Sequence, residues 1–415
     1  MTRDAQDWRP ERVLAGLVLA AACPACNPHE AAGLQPLSYE DFEFAEGTPD
    51  AEACVFDGDD DPSKLVVTTT DFSTGAVSIV DVASRSADVD VAIGSPDAIP
   101  VSSGGQIAIV HRHLFDFIDL LSAETWRSRV QLALEAPDAA SPNPHGLAFG
   151  PDGSAYIPLF GSRYLLKTRL EYGATPSFID MGIFADRDER PEASIAFRCG
   201  TAVWIVIQRY DWKGAYRDAL VAIDTRSDLP YDLDGEGPDG TGIDLLGTWA
   251  KQVRADPTDP RGGRLLVLTT GVEQVDLREQ ESEWLLSPGD FEQVGITIPE
   301  QPLAFDIDAN LTHAYVLAYV PRDAAASKCE DDWGLCFEQA TIFDFALTGD
   351  RSVSVVENGL HALAPSLEVV GDELWVATRT IAAPGLLVFS LRSTPPSRVA
   401  GPINVGLPPY AITTL

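Results

Sequence analysis

From Lys64 onward the chain alternates short apolar runs with turn residues, and no amphipathic stretch reaches helical length. That texture predicts an all-β chain, because short strands bounded by Gly, Pro, Asn and Asp leave this signature. One class of run reads LVVTTTD at Leu65, IAIVHR at Ile107, AYIPLFG at Ala155, VWIVIQR at Val203, LLVLTTG at Leu265, AYVLAYV at Ala314 and LWVATRT at Leu374. A second class usually follows about ten residues later, as in VSIVDV at Val77, FDFIDLL at Phe115 and ALVAIDT at Ala219. Several first-class runs are preceded by a strand introduced by proline, such as NPHGLAFGPDG at Asn143 and QPLAFDIDAN at Gln301.

Successive first-class runs start 42 to 62 residues apart, and seven such units cover 64–415 almost completely. A period near 50 residues with four short strands per unit predicts propeller blades. The first unit opens directly on LVVTTTD and lacks the proline-led strand, whereas the chain closes on LPPYAITTL with no unit after it. The expected fold is therefore a single seven-bladed β-propeller. One blade is assembled from both chain ends, which hides two sheet edges.

Residues Asn143 to Lys167, the run LWVATRT with GLLVFSL after it, and INVGLPPYAI at Ile403 together resemble the YVTN-type repeat propellers of bacterial exported proteins. The signature tetrapeptide is degenerate, as Val66-Val67-Thr68-Thr69 or Val376-Ala377-Thr378. The resemblance implies the fold and an exported setting. It implies no particular activity, since such rings serve as binding scaffolds, surface-layer parts and occasional enzymes.

Charge and leader narrow the setting. There are 63 acidic against 29 basic residues, a formal charge of −34. That field repels nucleic acid and anionic lipid, so neither is expected as a partner. Arg9 and Arg12 precede ten apolar residues, Val13 to Ala22, too short to span a bilayer and suited to a signal-peptide core. Residues 1–22 are accordingly read as a signal peptide. LAAAC resembles a bacterial lipobox with Cys23 as the lipidated residue, which predicts a cell-envelope lipoprotein or, failing lipidation, a secreted protein. Residues 27–63 hold eleven acidic residues and no Lys or Arg, so 23–63 reads as an acidic tether or loosely packed arm. The propeller then occupies 64–415. Of the six cysteines, Cys329 and Cys336 bracket a short loop that a disulfide would close; the pairing of Cys26, Cys54 and Cys199 is left open.

No recognised catalytic motif is present. His111 and His113 alternate along a strand at a spacing compatible with zinc, with His145 or His313 as a third ligand, though a polar strand end explains them as well. Three acidic loops offer oxygen ligands for calcium: Asp57, Asp59, Asp60 and Asp61; Asp186, Asp188 and Glu192; and Asp228, Asp232, Asp234, Glu236 and Asp239. None has the EF-hand spacing, so no cofactor is firmly expected, and calcium is the one candidate. Arg112, Arg163, Arg209, Arg322 and Arg379 each fall just after a first-class strand, and those turns share one rim of a propeller. With His111, His113, Tyr210 and Trp212 they outline a funnel for a small anionic or carbohydrate ligand, or for a protein partner. The plain alternative is that each arginine pairs with a neighbouring carboxylate. The expected function is a monomeric, non-enzymatic binding or interaction scaffold. The rival is a calcium-dependent propeller hydrolase of the lactonase or lyase type, which needs carboxylates or amides converging on the channel.

Overall fold

The computed structural model describes residues 39, 42–56, 63–103, 106–186, 189–209, 217–233, 242–296, 302–319, 340–360, 366–380 and 383–415. They form seven antiparallel sheets arranged as a seven-bladed β-propeller. From channel to periphery, blade 1 is Pro409–Thr414, Lys64–Thr70, Gly75–Asp81 and Ser86–Gly94. Blade 2 is Ala98–Ser103, Gln106–His111, Phe117–Leu121 and Ser128–Ala133. Blade 3 is Ala148–Phe149, Ala155–Pro158, Tyr164–Thr168 and Ser177–Asp180. Blade 4 is Ala193–Cys199, Ala202–Ile207, Ala219–Asp224 and Ile243–Asp244. Blade 5 is Gln252–Ala255, Arg264–Leu268, Val272–Asp276 and Glu281–Leu286. Blade 6 is Pro302–Ile307, His313–Tyr319, Ala340–Ala346 and Val353–Leu360, and blade 7 is Leu367–Val370, Glu373–Thr378, Gly385–Ser390 and Ser397–Ile403.

The burial explains the apolar runs. A middle strand is covered by a neighbouring blade on each face, so consecutive residues, not alternate ones, must be apolar. Leu65, Val66 and Val67 are all fully buried, as is the whole of Val203 to Ile207. Outer strands alternate, as in Ser128–Ala133, where one face meets solvent. The apolar core is divided into seven clusters, one in each seam between blades.

Closure follows the expected route. Pro409–Thr414 pairs with Lys64–Thr70 in the register Leu65 with Thr414 through Thr69 with Pro409. Arg379 reinforces the joint from blade 7. Its Nη1 donates to the carbonyls of Pro408 and Pro409, both at 3.1 Å, and its Nη2 to that of Thr70 at 2.8 Å. One guanidinium thus ties the two terminal strands together.

The segment 42–56 packs against the ring. Phe42 and Phe44 lie against the seam between blades 3 and 4. Asp50 accepts from the Thr201 amide and hydroxyl, both at 2.7 Å, and its carbonyl accepts from Trp204 Nε1 at 3.0 Å. Cys54–Val55 then adds a fifth strand on the channel side of blade 4, and Cys54 is disulfide-bonded to Cys199. Phe56 stacks on Phe197 at 5.0 Å. The turn beneath permits this approach only through glycine: a Cβ on Gly263 would lie 2.1 Å from the Ala51 carbonyl oxygen. The bridge joins residues 145 apart in sequence, and closing a loop of that length restricts the unfolded chain by about 5 kcal/mol. The expected Cys329–Cys336 bridge lies outside the described residues, as do Cys23 and Cys26.

Candidate functional site

Each blade runs inner strand down, second strand up, third down and outer up. The turns after the second strands and the connections between blades therefore share one face, here called upper. At its inner edge, blades 1 to 3 bring a polar cluster together. Arg112 follows the second strand of blade 2, Asp97 precedes the inner strand of that blade, and Tyr410 sits on the inner strand of blade 1. Arg112 Nη2 donates to Asp97 and, at 2.7 Å, to the Tyr410 hydroxyl, which itself donates to Asp97 at 2.6 Å. Among the described residues Arg112 Nη1 has no hydrogen-bond partner, and Nε is buried without one. Burial pushes Asp97 up, but Arg112 and Tyr410 outweigh it and hold the carboxyl below its usual value. Burial raises Tyr410 to about 12.

His145, at the entry to blade 3, stacks on Phe160 with ring centroids 4.5 Å apart. Burial first, then the neighbouring Arg112 charge, lower it to about 3, so the imidazole is neutral at physiological pH. Arg379 completes this inner edge beside Tyr410. Only 7% of it is exposed, and its hydrogen bonds go to carbonyl oxygens, with Phe72 against the guanidinium at 4.4 Å. Burial lowers it to about 10, which still leaves it charged at neutral pH.

The rim arginines split into two groups. Arg112 and Arg379 stay at the inner edge. Arg163 turns to the outer strand of its own blade and grips Asp180 with two bonds of 2.6 Å. Arg209 donates to the Phe184 carbonyl at 3.2 Å and lies 3.6 Å from Asp244, again an outer-strand carboxylate. For those two the plain ion-pair expectation describes the geometry. Arg322, Tyr210 and Trp212 lie outside the described residues.

His111 and His113 diverge. His111 is buried, accepting from the Ser95 amide at 3.1 Å and facing Asp119 at 3.5 Å, while His113 is exposed in the following turn. Among the calcium candidates, Asp228 accepts from Lys167 Nζ at 2.6 Å and the Tyr156 hydroxyl at 3.0 Å, and Asp232 from the Tyr39 hydroxyl. Asp186 and Glu192 lie on the upper connection into blade 4, while Asp57, Asp59, Asp60, Asp61, Asp188, Asp234, Glu236 and Asp239 are outside the described residues. Among the described residues no three His, Cys, Asp or Glu side chains gather as a metal site.

Lower in the channel the inner strands of blades 5, 6 and 7 are laced by charge. Arg254 Nη2 donates to Glu368 at 2.7 Å, its Nε lies 3.6 Å from Asp306, and Asp306 accepts from the Val369 amide at 2.6 Å. Burial pushes Glu368 up to about 8 against the pull of Arg254. Between blades 4 and 5, Asp218 is also buried and accepts from the Ala250 amide at 2.5 Å. Burial, reinforced by the Glu273 charge, raises it to about 8. Sequence reading missed Asp97, Tyr410 and the Arg254 network, because their partners are separated by tens to hundreds of residues. It raised His145 only as a zinc ligand. The usable signal was position: Asp97 and His145 stand where the chain enters an inner strand, at the lip of the channel.

This geometry defines a seven-bladed propeller with a polar upper mouth and a charge-laced channel. No protein-family model matches the chain, and no curated protein matches it. Solved structures do. A Bacteroides fragilis protein provisionally described as a 6-phosphogluconolactonase is similar at 11% identity, over 86% of this chain and 98% of that one, with a TM-score of 0.54. The periplasmic gluconolactonase of Pseudomonas aeruginosa is similar at 11% identity, over 85% and 99% of the two chains, with a TM-score of 0.51. A functionally unknown protein from Desulfotomaculum acetoxidans gives 10%, 85%, 98% and 0.50 in the same order. At such identities the likeness is one of fold.

Proposed function

We propose that this protein is an exported binding scaffold, held to the cell envelope through Cys23, that takes a small anionic ligand at the upper mouth of its channel. The observation that carries the reading is Arg379. Its buried guanidinium is met by carbonyl oxygens and an aromatic ring and by no carboxylate among the described residues, and a desolvated cation of this kind favours an anion nearby. Arg112 supplies the donor: its side chain is 19% exposed, and among the described residues Asp97 and Tyr410 engage only its Nη2. Forked guanidinium groups suit carboxylate, phosphate and sulfate.

Calorimetric titration with gluconate and with inorganic sulfate at low salt should give saturable binding. Arg112→Gln should weaken it tenfold or more, consistent with about 1.5–3 kcal/mol for a hydrogen bond to a charged group. Arg112→Lys should retain part of it. The absence of binding by either probe would remove the anion site. The rival reading, a calcium-dependent hydrolase, draws on the two lactonase-type fold neighbours and needs carboxylates free to hold a cation. Asp306 and Glu368 are instead engaged with Arg254. Calcium-stimulated gluconolactone hydrolysis above the blank would put that reading ahead.

Export has its own signature. Mass spectrometry of unreduced protein, produced with its leader in a bacterial host, should find a mature N-terminus at a lipid-modified Cys23 and a Cys54–Cys199 bridged peptide. A mature N-terminus at Ala25 or beyond removes the anchor, and free thiols at Cys54 and Cys199 argue against export.

A further inference from the structure

The Arg112–Asp97 pair is built into the ladder that carries it. The inner and second strands of blade 2 pair Ala98 with His111, and Asp97 and Arg112 are the next residues on the two strands. The Arg112 amide donates to the Asp97 carbonyl at 3.1 Å. The side chains repeat the contact, with Arg112 Nη2 donating to Asp97 Oδ1. Backbone and side chain together hold the two charges in contact, so neither has to be ordered when a ligand arrives.

The bonds on the Asp97 carboxyl fall on one oxygen. Oδ1 accepts from Arg112 and, at 2.6 Å, from the Tyr410 hydroxyl. Among the described residues Oδ2 accepts from nothing, and the side chain is 34% exposed. Against the cost of burial, Arg112 and Tyr410 hold the carboxyl below its usual value, so Oδ2 belongs to a carboxylate and acts only as an acceptor. Its neighbour Arg112 has Nη1 as the matching donor without a partner among the described residues.

The mouth thus presents a donor and an acceptor of opposite charge side by side. A plain anion on Arg112 comes up against the Asp97 carboxylate, and like charges in proximity repel. A ligand that carries its own cation next to its anion meets both groups with the matching sign. Those two charges must be adjacent in the ligand, because the groups they meet are already in contact.

We infer that the upper mouth takes a free α-amino acid, its carboxylate on Arg112 Nη1 and its ammonium on Asp97 Oδ2. The inference rests on the anion-binding reading above and supplies the second half of the ligand. The net charge of −34 acts in the same direction, since that field opposes a net anion and leaves a neutral zwitterion unopposed.

The test is calorimetry on the full chain at neutral pH and low salt, with alanine against four relatives. Propionate lacks the ammonium, lactate has a hydroxyl in its place, N-acetylalanine has an amide there, and alaninamide lacks the carboxylate. Alanine should bind at least tenfold more tightly than each, the size expected of one hydrogen bond between charged groups. Asp97→Asn should bring alanine down to the level of propionate, and a preference that survives the substitution overturns the inference. The comparison on the wild-type protein decides the matter even where the variant does not fold. Equal binding of alanine and propionate overturns the zwitterion and leaves the anion site standing, as does saturable sulfate binding with none of alanine. Tightest binding of lactate or of N-acetylalanine also overturns it, and assigns Oδ2 to a hydroxyl or to the carboxyl end of a peptide. No binding by any carboxylate or by sulfate takes down the anion site and the inference together.

Discussion

Deleting Pro408 to Leu415 should cost the protein its cooperative fold, or lower its melting temperature by about 10 °C or more. The terminal strand is the innermost strand of blade 1, not a tail. Ile412 is 6% exposed in the seam between blades 7 and 1, and burying such a side chain is worth about 1.5–3 kcal/mol. The strand pairs with Lys64–Thr70 along most of its length, and each net hydrogen bond adds about 1 kcal/mol. The total is of the order of the 5–15 kcal/mol that keeps a domain folded. The deletion also bares the edge of a strand whose Leu65, Val66 and Val67 are fully buried, so aggregation on heating is expected. It further strips Arg379 of the Pro408 and Pro409 carbonyls. Ile412→Ala should cost about 2–5 kcal/mol alone, the range for a buried truncation. Circular dichroism melts of the three proteins decide the matter; unchanged melting in the truncated chain would mean that blade 1 closes without its inner strand.

Arg254→Met should be nearly as damaging and should also change how stability depends on pH. Removing the cation leaves Asp306 without its counter-ion, beside a Glu368 that burial keeps protonated up to about 8, and breaking a buried pair from one side costs about 3–5 kcal/mol. In the intact protein Glu368 and Asp218 are both raised to about 8, above the ordinary values of 4.5 and 3.8. The folded state then keeps protons that the unfolded state releases. Their contribution is fully present below the unfolded values and is lost as pH rises through about 8. Carboxyls such as Asp71 and Asp259, lowered to about 2, act oppositely and lose their contribution as pH falls toward that value. Urea unfolding should therefore show declining stability from pH 5 to pH 8.5, with a shallower decline in Glu368→Gln. General self-repulsion of a chain of net charge −34 adds to the decline in both proteins. The difference between the two slopes is thus the decisive quantity, and identical slopes would exclude Glu368 as a source.

The ring was legible in the chain because its physics is local and repeated. Runs such as Val203 to Ile207 must be apolar throughout, since a middle strand is covered on both faces, and turn residues recur at blade intervals. The missing first strand and the surplus last one announced the closure for the same reason: a periodic pattern exposes its own gap. The acidic composition of the arm, by contrast, gave no warning that Phe42, Phe44 and Phe56 pack on blades 3 to 5 or that Cys54 reaches Cys199. The upper rim was half legible. Its arginines follow the second strands as expected, yet whether each faces the mouth depends on a carboxylate elsewhere. Asp180 and Asp244 draw Arg163 and Arg209 outward, whereas Arg112 finds Tyr410, 298 residues away, and Arg379 finds the backbone of both chain ends. Period and burial follow from each residue and its near neighbours, so the sequence by itself determined the propeller. The direction of a charged side chain depends on which partner the closed ring brings within about 3 Å, and only the tertiary structure decided that.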